Sequence, residues 1–137
     1  MMTTTKKSFL LFFAMTACSK GNAPSQPSCL AAPSTWRHLD GGLPEMAVID
    51  EIKVNKYRTT WNGEGVSDET LTKYLRISRG QQPPPFMLLI TGRDVDCERF
   101  IQTRKVVATN YDCAGGLCGQ VSEKEAAKLR LRPSHGR

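Results

Sequence analysis

Between residues 47 and 122 the apolar positions of this chain switch between a period of two and helical spacing. Residues 47–54 set Ile52 and Val54 against intervening charges, the pattern of a half-buried strand. Asn55-Lys56-Tyr57 is turn-like. Residues 58–61 are β-prone and stop at Asn62-Gly63, a pair that tolerates the positive φ angles of a tight hairpin. Residues 47–61 are therefore expected as a hairpin. Ser67 then precedes Asp68 and Glu69, so a capping hydroxyl and two carboxylates fall where the free N–H groups of a helix start need them. Leu71, Tyr74 and Leu75 share one face of that helix. Gly80 is placed to end it in a left-handed conformation. Residues 81–85 read as a stiff, proline-rich spacer.

Residues 86–91 are apolar on both faces. That predicts a central strand covered on both sides, or one whose second face meets another subunit. Gly92-Arg93-Asp94 is a turn. A second helix is expected over 95–109, with Asp94 and Asp96 at its start and Asn110 as its stop. Its inward stripe is read as Cys97, Phe100, Ile101, Arg104 and Ala108, with Val107 beside it. A Gly-rich loop at 112–119 leads to a last short strand around 120–122. The order is β-β-α-β-α-(β): a small two-layer α+β domain, helices on one mixed sheet, spanning residues 46–123. A core of this size commonly needs covalent staples or a partner.

Outside that domain the pattern changes. The chain carries +6, but the charge sits at its ends. Lys6 and Lys7 supply two charges. The tail 124–137 holds five basic residues against Glu125. The stretch between is close to neutral, so the high pI does not describe a basic face, and nucleic acid is not an expected partner. Lys6 and Lys7 precede about ten apolar or small residues, and a polar, Pro-containing stretch follows. That run is too short to span a bilayer, which needs roughly 20 residues. It has the layout of a signal peptide over residues 1–17. Met15-Thr16-Ala17-Cys18 resembles the bacterial lipobox, with Met15 where Leu is usual. The resemblance implies cleavage before Cys18 and its acylation by palmitate-type chains, which anchors the chain without spanning. Plain secretion with a free Cys18 is the alternative. In the lipoproteins that this stretch resembles, Asp after the cysteine favours inner-membrane retention, so the resemblance with Ser19 in that place implies the outer membrane. The polar composition of 19–35 reads as a mobile tether, and the lipidated linker is taken as 18–45.

Within 48–122 the carrying residues are Ile52-Lys53-Val54; then 61–67, Trp-Asn-Gly-Glu-Gly-Val-Ser, leading to Leu71 and Leu75; then 85–90, Pro-Phe-Met-Leu-Leu-Ile; then Asp94 before the second helix. In that order they resemble the periplasmic domain of the ExbD/TolR biopolymer-transport family. The resemblance implies a domain that pairs with a second copy. The family's motor role depends on an acid within a spanning helix. Residues 8–17 contain no acid and cannot span, so motor activity and proton coupling are not implied.

With Cys18 assigned to lipid, Cys29, Cys97, Cys113 and Cys118 remain. An even number in an exported chain favours disulfides. Cys97 and Cys113 would lie at opposite ends of the second helix, about 20 Å apart and beyond bridging reach. Cys113 and Cys118 flank a foldable glycine loop, so Cys113–Cys118 is favoured, with Cys29–Cys97 by exclusion. The spacing does not match the close cysteine pairs of structural zinc. Acids around Cys97 oppose a redox thiolate. His38 and His135 lie outside the predicted rigid elements, and Ser67 is explained as a cap, so no catalytic residue, metal or cofactor is expected. The reading is a periplasmic-side lipoprotein with an interaction domain, pairing as a homodimer and not an enzyme. A structural lipoprotein touching peptidoglycan through its basic tail is an alternative, and a thiol redox or zinc protein a further one.

Overall fold

The structure, a computed structural model, describes residues 31–131. Its elements are β1 (Ile49–Val54), β2 (Thr59–Trp61), β3 (Glu64–Val66), α1 (Asp68–Arg79), β4 (Phe86–Thr91), α2 (Cys97–Asn110), a helical turn (Cys113–Leu117), β5 (Cys118–Ser122) and α3 (Glu123–Leu131). The five strands form one mixed sheet in the order β3-β2-β1-β4-β5. β1, β2 and β3 are antiparallel neighbours, whereas β4 runs parallel to both β1 and β5. The α+β class and the expected order hold, with β3 and α3 added.

β3 exists because the hairpin turn is satisfied in detail. Asn62 and Gly63 take φ of 47° and 91°, the pair of positive angles that matches the twist of a two-residue hairpin. Asn62 also fastens the turn to β1. Its Oδ1 accepts from the Glu51 N–H at 2.8 Å, and its Nδ2 donates to Asp50 Oδ1 at 2.9 Å.

β4 is the middle of the molecule, and all six of its residues are buried. Its side chains divide by alternation. Met87 and Leu89 join Ile52, Val54, Leu71, Leu75, Phe100 and Val107 beneath α1 and α2. Phe86, Leu88 and Ile90 face the other way and meet Val121, Ala126 and Leu129, with Leu39 and Leu43. Of the two meanings of a doubly apolar strand, the chain uses the first: both faces are filled from within.

Three local expectations change. Gly80 ends α1 with φ −81°, a right-handed conformation, and its N–H bonds the carbonyls of Ile77 and Ser78. The buried stripe of α2 is Phe100, Thr103 and Val107, while Ile101 is exposed. Thr103 can be buried because its hydroxyl donates to the Arg99 carbonyl at 3.0 Å. Residues 124–131, from the basic tail that offers little to bury, continue α3 and close the second face of the sheet through Ala126 and Leu129. The folded part also begins before residue 46. Trp36 is only 4% exposed and lies in the α1/α2 core, and the Arg37 N–H donates to the Cys118 carbonyl at 2.8 Å, along the outer side of β5.

Candidate functional site

The residues expected to matter are dispersed. Cys18 and Cys29 lie outside the described residues, as do His135 and the end of the tail. Cys113 and Cys118 are disulfide-bonded to each other with Cα atoms 4.7 Å apart. The loop between them can close because Gly116 takes φ 84° and the Asp112 carboxylate accepts from the Gly115 N–H. Cys97 is disulfide-bonded as well, and its partner lies outside the described residues. Ser67 performs the capping task expected of it, accepting from the Thr70 N–H at 3.1 Å. Among the described residues, no three His, Cys, Asp or Glu side chains are placed to hold a metal ion. No described helix is long and apolar enough to cross a membrane.

The C-terminal ends of the parallel strands, the usual crevice of an open sheet, are occupied by the protein's own groups. The Gly92 N–H donates to the Val54 carbonyl at 2.8 Å, and a Cβ on Gly92 would lie 2.1 Å from Asn55 Oδ1. Glu123 pairs with Lys53 and accepts from the Arg93 N–H. The Lys53 ammonium holds the Glu123 carboxyl below the usual carboxylate range, with lesser help from Arg93. These groups bind one another beside a concavity lined by Thr91, Arg93, Ser122, Glu123 and Ala127.

A concavity with both cationic and acidic side chains on its rim lies where the strap 31–40 crosses β5 and α3. It is a cavity of about 340 Å³ whose apolar walls include Leu39, Val121 and Leu129. Arg37, His38 and Lys128 stand on its rim, with Asp40 and Glu125. The Glu125 carboxylate accepts from the Ser122 N–H at 2.7 Å, and that bond lowers its pKa. The only sequence signal for this cavity is the helical spacing of Ala126 and Leu129 within the charge-rich tail.

A second exposed feature sits on α1. Tyr74 packs edge-on against Trp61, with ring centroids 5.5 Å apart, and Ile77 is 54% exposed one turn further along. No protein-family model, no curated protein and no solved structure matches this chain.

Proposed function

We propose that the protein is an exported, lipid-anchored interaction domain on the periplasmic side of a bacterial envelope, without enzymatic or motor activity. One observation supports this above the others: two separate positions of the small domain are closed by disulfides, Cys113–Cys118 and Cys97. Disulfides persist in oxidising compartments and are rare where thiols are kept reduced. Cys29 is proposed as the partner of Cys97, which would fasten the linker to the start of α2. Acylation of Cys18 would then set the domain one short tether away from the membrane. The ExbD/TolR-like order of elements belongs to the same reading.

Pairing with a second copy is part of the proposal, through the exposed α1 surface at Tyr74 and Ile77. β4 no longer supports it, since both its faces are filled by the chain itself. Intact-mass analysis of the protein from a bacterial membrane fraction tests the compartment. The expected species begins at Cys18, carries acyl chains and has no free thiol. An uncleaved chain with reduced cysteines would refute the reading. Light scattering after size exclusion tests pairing, and a strict monomer at high micromolar concentration would exclude it.

A further inference from the structure

The cavity between the strap 31–40 and α3 has features that a packing role does not explain. Its apolar wall is contributed by three separate segments, through Leu39, Val121 and Leu129. Three cationic or titratable side chains converge on its rim. None of Arg37, His38 and Lys128 makes an ion pair or side-chain hydrogen bond among the described residues, although Lys128 acts on Glu125 across the rim. The cations on the neighbouring part of this face behave differently: Lys53 and Arg130 are paired with Glu123 and Glu51. The volume of about 340 Å³ falls at the small end of the range for small-molecule sites, about 300–1,000 Å³.

The charges limit what can enter. Arg37 and Lys128 attract an anion, and Arg37 offers a planar fork suited to a carboxylate. Glu125 on the same rim opposes a second negative charge. It is fixed close to the site by the Ser122 N–H. A dianion such as phosphate would meet that carboxylate. A neutral apolar molecule would leave the cations unused. We propose that this cavity binds a monocarboxylate with a short aliphatic body. Its carboxylate lies on Arg37 and Lys128, and its chain lies against Leu39, Val121 and Leu129. This does not depend on where the protein resides or how it is anchored.

The test is an amide NMR titration of the full-length, oxidised chain with octanoate, 1-octanol, inorganic phosphate and N-acetyl-leucyl-leucine. Saturable shifts at Val121 and Leu129, with octanoate or the peptide acid at least about tenfold tighter than octanol and phosphate, support the proposal. The factor is what one charge-assisted contact is worth. The tighter of the two acids then names the source, a simple aliphatic acid or a peptide terminus. Octanol binding as tightly as octanoate would reduce the cavity to an apolar dent. Phosphate binding as tightly would reduce it to a cation cluster. Either result overturns the proposal, as does the absence of shifts for both acids. Arg37 and Lys128 are exposed, and Arg37 holds β5 through its backbone, so Arg37→Gln/Lys128→Gln should keep the native spectrum and bind the preferred acid about tenfold more weakly. Should the double variant misfold, Lys128→Gln alone carries the same expectation. Unchanged affinity in either folded variant refutes the assignment.

Discussion

The Tyr111 hydroxyl donates to the Pro85 carbonyl and thereby ties the end of α2 to the start of β4. The same residue closes the helix, because its N–H bonds the Val107 carbonyl at 2.9 Å. Tyr111 is 4% exposed. Burial, with the Asp50 and Asp112 carboxylates adding to it, pushes its phenol up to about 12 from an ordinary value near 10. The folded protein thus keeps a proton that the unfolded chain releases. The stabilisation is full below pH 10 and is lost as pH rises from 10 towards 12. Tyr111→Phe should cost about 1–3 kcal/mol near neutral pH, since the Pro85 carbonyl loses its donor. The variant should also lose less stability than the native chain above pH 10. Denaturant melts of both proteins across that window measure the difference, and parallel pH profiles would remove Tyr111 from the explanation.

α3 is held by two kinds of contact with different worth. The ion pairs Lys53–Glu123 and Glu51–Arg130 are partly exposed, and such pairs contribute about 0–1 kcal/mol. Ala126 is 3% exposed and packs against Phe86, Leu88 and Ile90. Glu123→Gln should therefore cost less than about 1 kcal/mol. Ala126→Asp should cost more than about 3 kcal/mol, by burying an unpaired charge. Glu123 and Glu125 both titrate below the ordinary carboxylate range in the folded protein. Their contribution is present above the unfolded pKa and is lost as pH falls through the folded one. Hydrogen-exchange protection in α3, taken relative to the intrinsic rate at each pH, should fall on acidification before protection in β4 does. Simultaneous loss in both would show that α3 is not a separable unit.

Most of the fold was legible because its signals are local. Ser67 with Asp68 and Glu69, Asn62-Gly63, and the apolar run of β4 each state their own conformation. What was missed depends on contacts distant in sequence. Trp36 is one apolar residue in a polar stretch, and a single buried side chain has no period to detect. Among its described side chains α3 contributes Ala126 and Leu129 to the core, and charges dominate its pattern. In α2 the sequence pattern favours Ile101 over Thr103, because a hydroxyl that bonds back to its own helix reads as polar. The cavity is hard to read for a related reason: its lining comes from residues 32–40 and 120–129, and no spacing joins the two segments.

Three glycines should respond very differently to alanine. A Cβ on Gly92 would lie 2.8 Å from the Val54 carbonyl oxygen as well as against Asn55. Backbone cannot yield cheaply, so Gly92→Ala should cost about 1–3 kcal/mol or more. On Gly119 the Cβ would meet Leu39 at 2.8 Å and Phe86 at 3.0 Å. Those are side-chain atoms that can shift, and the cost should be smaller. Gly65 faces open space, and alanine there should change stability by less than about 0.5 kcal/mol. Chemical denaturation of the three variants gives the order. A Gly65 variant as damaged as Gly92 would contradict the packing described around β4.

The two disulfide positions should also differ, through the length of chain each one closes. Cys113–Cys118 has a sequence separation of 5, and closing so short a loop stabilises by about 2 kcal/mol on chain-entropy grounds. A Cys29–Cys97 bridge would enclose most of the linker, the sheet's first strands and α1. On the same scale it would be worth about 4 kcal/mol. Alanine replacement keeps both comparisons apolar, which matters because Cys113 and Cys118 are buried. Cys113→Ala/Cys118→Ala should therefore lower the unfolding free energy by less than Cys29→Ala/Cys97→Ala does. The second variant should also release the linker to proteolysis ahead of Trp36 while the sheet stays folded. A short-loop variant that proves the more damaged would show that loop length does not set the two contributions. If Cys29→Ala leaves Cys97 without a free thiol, the bridge from Cys97 runs to a different cysteine. The linker is then fastened at another point.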